Sequence, residues 1–201
     1  MIYSYKGSRI VASTRKEAIH KIISGKEMSD DEIFEKAKRG DKSILKLPKD
    51  KLMIQGDYGC TPIHWLAEEG VKEILKLDKE LLKIKDNDGC TPIHYLAEKG
   101  VKEVLTLPKE LLKIKDTYGW TPIHWLASNG VKEILDLDKE FLMIQDIDGW
   151  TPVHRLAEGG VEEILNLPKE LLMVKDNHGN TPIHYLAKKG VIIPDEYRQY
   201  V

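Results

Sequence analysis

Cysteine, side-chain amides and long apolar runs are all scarce in this sequence of 201 residues. Two cysteines cannot make a disulfide framework, which favours a reducing compartment and a cytoplasmic setting. The longest apolar runs extend over a few residues, so no transmembrane helix is expected and no membrane partner is called for. The first seven residues, Met1 to Gly7, lack the apolar core of a secretory signal. Neither sign of charge dominates: 31 Lys and Arg face 33 Asp and Glu, which gives no overall reason to expect nucleic acid. The balance is uneven, however, with residues 1–30 net basic and residues 121–180 net acidic. Five Asn and three Gln stand against 26 Lys and 18 Glu, a composition of the thermophile kind, so a thermostable protein is expected.

What the sequence has in abundance is itself. Thr61-Pro62-Ile63-His64 returns at Thr91, Thr121, Thr151 (with Val153 for Ile) and Thr181, each thirty residues on. Thr61 suits an N-cap and Pro62 the first helical position, where no N–H is needed. Ile63, Leu66 and Ala67 then lie on one helical face, and Gly70 supplies a left-handed stop. Val71, Ile74 and Leu75 predict a second helix; Asp78, with Pro108 and Pro168 at the same place, interrupts it and suits the start of a turn or short helix, and Leu81, Leu82 and Ile84 add a further buried cluster. Asp86-Asn87-Asp88-Gly89 fits a type I turn. One such unit cannot bury its own apolar face, whereas stacked copies can, so the expected fold is an all-α solenoid.

The stack is delimited at residues 31–201: an N-cap unit at 31–60, repeats at 61–90, 91–120, 121–150 and 151–180, and a truncated C-cap unit at 181–201. In the first unit Asp31-Glu32-Ile33-Phe34 replaces Thr-Pro-Ile-His. In the last, Pro194 interrupts the second helix. Residues 1–30 form a separate extension. Strands are predicted at Ile2 to Tyr5 and Arg9 to Ala12 around a Lys6-Gly7-Ser8 turn, then a helix from the Thr14 capping box to Gly25. A second capping box at Ser29 to Glu32 opens the first solenoid helix. The hairpin serves either as a cap or, through residues 2–12, as an edge on which copies associate. A monomer is the expected state.

The pattern D-x-x-G-x-T-P-[IV]-H-x-L-A-x-x-G-V resembles the ankyrin repeat, whose units are built on a Thr-Pro-Leu-His core, and the likeness covers 31–201. It implies helix–loop–helix units with turns projecting as fingers beside a helical surface, and a scaffold that binds protein or peptide partners without catalysis. The period here is 30 rather than 33, with the deletion near the end of the second helix. Leu66-Ala67 stands where the family has Ala-Ala.

No catalytic set converges. His64, His94, His124, His154 and His184 recur at one place per unit, roughly 10 Å apart at ordinary helix packing distance, too far to share an ion. The likeness gives them a structural hydrogen bond near the threonine. Cys60 with His64 and Cys90 with His94 suggest a Cys2His2 zinc site, but later units keep the histidine and replace the cysteine. No phosphate loop and no nucleophile motif occurs, so no cofactor or metal is expected.

Function is expected where the copies differ. The place after the histidine reads Trp65, Tyr95, Trp125, Arg155, Tyr185; the place before the threonine reads Cys60, Cys90, Trp120, Trp150, Asn180; the turn tip reads Tyr58, Asp88, Tyr118, Asp148, His178. Trp, Tyr and Arg are hot-spot residues. The candidate partner-binding set is therefore Tyr58, Trp65, Tyr95, Tyr118, Trp120, Trp125, Trp150, Arg155, His178 and Tyr185. Packing between units is the competing role for Trp65, Tyr95 and Trp125. Tyr118, Trp120 and Trp150 are expected to form one apolar patch with Arg155 beside it. A self-associating assembly protein is the alternative function.

Overall fold

Each Thr-Pro pair opens a seven-residue helix in the computed structural model, which describes residues 2–5, 8–11 and 28–200. These first helices are Pro62–Glu68, Pro92–Glu98, Pro122–Ser128, Pro152–Glu158 and Pro182–Lys188. Each starts with a capping box in which histidine replaces the usual glutamate at the third helical position. Each ends in the same way: Gly70 takes φ +71°, its N–H bonds to Ala67 O at 2.8 Å, and Val71 N bonds to Leu66 O at 2.9 Å. This closing pattern satisfies carbonyls that the helix would otherwise leave unpaired.

The second helix is not continuous. Lys72–Lys76 is a 3-10 segment, Leu77 is extended, and Lys79–Leu82 is a single α-turn. The same break recurs at Lys102–Thr106 and Lys109–Leu112, at Lys132–Asp136 and Lys139–Leu142, and at Glu162–Asn166 and Lys169–Leu172. Pro108 and Pro168 explain it in two units, since proline holds the preceding residue extended and cannot continue the 3-10 hydrogen bonding, whereas Asp78 caps the last turn, its side chain accepting from Glu80 N at 3.0 Å. Leu75 and Ile84, expected inside, are only half-buried as a result, whereas Ile74, Leu81 and Leu82 are buried.

The chain divides into two compact units, residues 1–33 and 34–201. In the first, strand Ile2–Tyr5 pairs antiparallel with Ser8–Val11, with Ile2 opposite Val11 and Tyr5 opposite Ser8. The expected helix over 14–25 lies outside the described residues, as do Lys6 and Gly7 of the expected turn, whereas Ser8, expected in that turn, opens the second strand. The helix Asp30–Ala37 begins at Ser29, whose Oγ accepts from Glu32 N at 3.3 Å.

The second unit is an all-α repeat solenoid. Each first helix packs on the next, from Pro62–Glu68 through Pro182–Lys188. Ile63, Leu66, Ala67, Ile74, Leu81 and Leu82 and their counterparts thirty residues on form one continuous apolar core. At the end, Asp195–Arg198 is a short helix whose Tyr197 is buried, although polar residues surround it.

Neighbouring units are also tied by two rows of ion pairs. In one, Lys42, Lys72, Lys102 and Lys132 each reach the glutamate 31 residues ahead, at 2.5–2.8 Å. In the other, Lys49 pairs with Asp78 at 2.8 Å, Lys79 with Glu110 at 2.9 Å and Lys139 with Glu170 at 2.5 Å. Lys109 there binds both Asp138 and Glu140.

Candidate protein-binding groove

The turns are built by a buried aspartate. Asp116 Oδ1 accepts the backbone N–H groups of Tyr118 and Trp120 at 2.9 and 2.8 Å, while Gly119 N bonds back to Asp116 O. Asp86, Asp146 and Asp176 do the same in their own turns. Successive turns join through Asn87 N to Tyr58 O, Thr117 N to Asp88 O, Ile147 N to Tyr118 O and Asn177 N to Asp148 O. The fingers are thus a hydrogen-bonded row rather than free loops.

The second carboxylate oxygen of each aspartate fixes the residue nine places on. Tyr95 Oη donates to Asp86 Oδ2 at 2.7 Å and Tyr185 Oη to Asp176 Oδ2 at 2.5 Å. Trp125 Nε1 faces Asp116 Oδ2 at 3.4 Å, and Arg155 Nη2 donates to Asp146 Oδ2 at 2.8 Å. Sequence reasoning missed this role of the aspartates. The signal was there: Gly56 holds the corresponding place in the first turn. A Cβ on Gly56 would come within 2.9 Å of Phe34 Cζ, so the aromatic that replaces histidine in the cap unit requires the glycine. Among the described residues Trp65 accordingly has no aspartate partner, and it lies under Lys38 Nζ, 5.2 Å from the ring centroid.

The histidines hold the floor together. Thr121 N donates to His124 Nδ1 at 3.1 Å, which makes Nδ1 the acceptor and leaves Nε2–H to donate to Trp150 O at 3.2 Å in the next unit. His64 reaches Cys90 O at 3.2 Å, His94 reaches Trp120 O at 3.3 Å and Ile114 O at 3.0 Å, and His154 reaches Asn180 O at 3.4 Å. This arrangement needs the neutral ring. Burial accordingly pushes His94, His124 and His154 down to about 4, and His64 down as well. Among the described residues no group of three or more His, Cys, Asp and Glu is placed to hold a metal. Both cysteines are free thiols. Burial, followed by the charges of Asp86, Asp116, Asp88 and Glu98, pushes the Cys90 thiol up to about 12.

The candidate residues separate into three groups. Tyr95, Tyr118, Trp120, Trp125 and Arg155 line one open groove of about 450 Å³ between the turn tips and the first helices. Tyr118 stands at its rim, 59% exposed. Trp150 and Tyr185 pack on each other at a tilt beyond Arg155, with centroids 4.4 Å apart. Tyr58, Trp65 and His178 do not line the groove. Tyr58 and His178 are exposed turn tips, whereas Trp65 is half-buried.

The expected single patch of Tyr118, Trp120 and Trp150 is not what forms. Arg155 intervenes, its guanidinium carbon 4.0 Å from the Trp120 ring centroid and 4.2 Å from that of Trp150. The residue before a threonine meets the residue 35 places on, so Trp120 packs on Arg155 and Trp150 on Tyr185. Trp120 also contacts Trp125 in the helix that follows it, centroids 4.7 Å apart. Both tryptophans are half-buried and contribute to packing as well as to surface. The Arg155 side chain is only 14% exposed, and its Nε is buried without an acceptor among the described residues. Stacking and the Asp146 carboxylate hold the guanidinium in place of that bond.

Comparison of the chain with models of known protein families and with curated proteins finds no match.

Proposed function

We propose that this chain is a non-catalytic, ankyrin-type interaction module that binds a protein or peptide partner through the groove around Trp120. One observation carries the reading. The side chains shared by all units go to caps, core and turns, whereas Tyr95, Tyr118, Trp120, Trp125 and Arg155, at places that differ between units, line one open, largely aromatic groove. Exposed aromatic surface beside polar groups is the composition of binding hot spots. The Thr-Pro helix starts, the hydrogen-bonded row of turns and the histidine links support the ankyrin-type assignment despite the broken second helix. The free cysteines support a cytoplasmic setting, and the ion-pair rows support thermostability.

A photo-crosslinking amino acid placed at Tyr118, and in a second protein at exposed Lys76, tests the reading in native lysate. A discrete crosslinked product is expected from position 118 and not from 76. Equal products from both places, or none from 118, would remove the groove as the binding surface. Product mass equal to twice the chain would make the partner a second copy and favour the assembly reading.

A further inference from the structure

Three exposed carboxylates, Asp88, Glu98 and Asp148, surround the groove's aromatic rings. Among the described residues no lysine or arginine pairs with any of them. The contrast is with Glu73, Glu103, Glu133 and Glu163, each of which takes a lysine from the preceding unit. Arg155, the cation in the groove lining, is already neutralised, with Nη2 on Asp146 at 2.8 Å and Nη1 3.7 Å from Glu158. The groove therefore carries uncompensated negative charge over aromatic faces.

We propose that the groove seats the guanidinium groups of an extended, arginine-bearing segment of a partner protein. The proposal rests on the interaction-module reading and names the chemistry of the partner. The chain itself displays the mode of binding. Arg155 stacks on both Trp120 and Trp150, with a carboxylate at its end. A planar guanidinium gains from stacking and from paired hydrogen bonds at once, which an ammonium does not. The aromatic side chains of Tyr95, Tyr118, Trp120 and Trp125 in the groove lining, with Asp88, Glu98 and Asp148 around them, offer the same two elements. The turns of Asp88 and Asp148 are two units apart, about 20 Å at ordinary helix packing distance. About six residues of extended chain span that length, so arginines at that spacing meet both carboxylates. Phosphate-bearing partners are repelled by the same charge.

The test uses the full chain and a fluorescein-labelled peptide of about twelve residues, made of Ala, Ser and Gly with arginines at about six-residue spacing. Fluorescence anisotropy is read at about 0.15 M salt, where screening removes weak long-range attraction. Parallel peptides carry citrulline, lysine or glutamate at the same places. The arginine peptide is expected to bind, and the citrulline and glutamate peptides to bind about tenfold more weakly or not at all. The triple variant Asp88→Asn/Glu98→Gln/Asp148→Asn should lose about tenfold for the arginine peptide with an unchanged melting curve, because all three side chains are exposed. Equal binding of arginine and citrulline peptides, or of variant and parent, would overturn the cation assignment and leave the groove standing as a peptide site. Absence of binding by every peptide would also overturn it, and crosslinking at position 118 would then decide the broader reading separately. Competition by free arginine as strong as that of the peptide would replace the peptide by a small cation.

Discussion

The two faces of the solenoid use the same thirty-residue period in opposite ways. Along the 3-10 segments one ion pair is repeated nearly unchanged, from Lys42–Glu73 to Lys132–Glu163, and each carboxylate is neutralised by the unit before it. Across the groove no two steps are alike. Tyr95 sits by Cys60, Trp125 by Trp120, and Arg155 between Trp120 and Trp150. Repetition closes a surface electrostatically, and departure from repetition leaves one open. The difference teaches where to look for function in a chain of near-identical units: at the columns where identity lapses and charge stays unpaired.

Both faces depend on the same neutral histidines, so acid should break them together. The unfolded chain takes up a proton at His94, His124 and His154 near pH 6.5, the folded chain only at about 4. Stability is therefore intact above pH 6.5 and falls as pH drops through that window, by roughly 3 kcal/mol per histidine at its foot. That total is comparable to the stability of a whole domain, so unfolding is expected before pH 4. Far-UV circular dichroism follows the helices and tryptophan emission follows the groove. Coincident loss is expected; loss of emission alone would show the groove to be independent of the spine.

A smaller effect separates the faces. Gly119 lies in a groove-side turn at φ +77°, and a Cβ there would stand 3.0 Å from Ile147 N and 3.1 Å from Asp146 Cα. Gly100, at φ +70°, ends a first helix, and its nearest neighbour would be Asn129 Cβ at 3.8 Å. Both substitutions to alanine incur left-handed strain, but only Gly119→Ala also presses on the next turn's backbone. Urea unfolding should show a loss of about 3 kcal/mol for Gly119→Ala and about 1 kcal/mol for Gly100→Ala. Equal losses would mean that the turns are less tightly stacked than their hydrogen-bonded row implies.

The smallest pair compares one side chain from each face. Trp150 is half-buried against Arg155 and Tyr185, so Trp150→Ala should lower stability by about 2 kcal/mol. Lys102 makes one exposed ion pair with Glu133, and Lys102→Ala should cost under about 0.5 kcal/mol. Thermal melting of both variants at low and high salt checks this. A salt-insensitive Lys102→Ala loss as large as that of Trp150→Ala would erase the distinction between the faces.

Much of this architecture was legible along the chain, for reasons that particular residues make plain. Thr61-Pro62 and His64 lie within one helical turn, as do Gly70 and the carbonyls it closes on, so helix starts and stops follow from neighbours in sequence. The interruption at Asp78, Pro108 and Pro168 was legible too, but the 3-10 form of the segment before it was not. Val71, Ile74 and Leu75 have the spacing of a helical face over so short a stretch that a 3-10 segment satisfies it equally. The shortened period was the better signal, since a thirty-residue unit has no room for a full second helix and its turn.

By itself the sequence determined the unit, the count of units, the caps, the turns and the columns where variation concentrates. These follow from interactions over a few residues and from the need of each apolar face for a neighbour. Only the tertiary structure decided what the variable side chains make of one another. Trp120 meets Arg155 across 35 positions of chain, and Asp88, Glu98 and Asp148 become neighbours of one groove only after three units have stacked. Contacts between units depend on the offset at which one turn lies over the next, and that offset is fixed by backbone bonds such as Ile147 N to Tyr118 O. No local preference encodes it, because every unit taken alone presents the same unfilled edge.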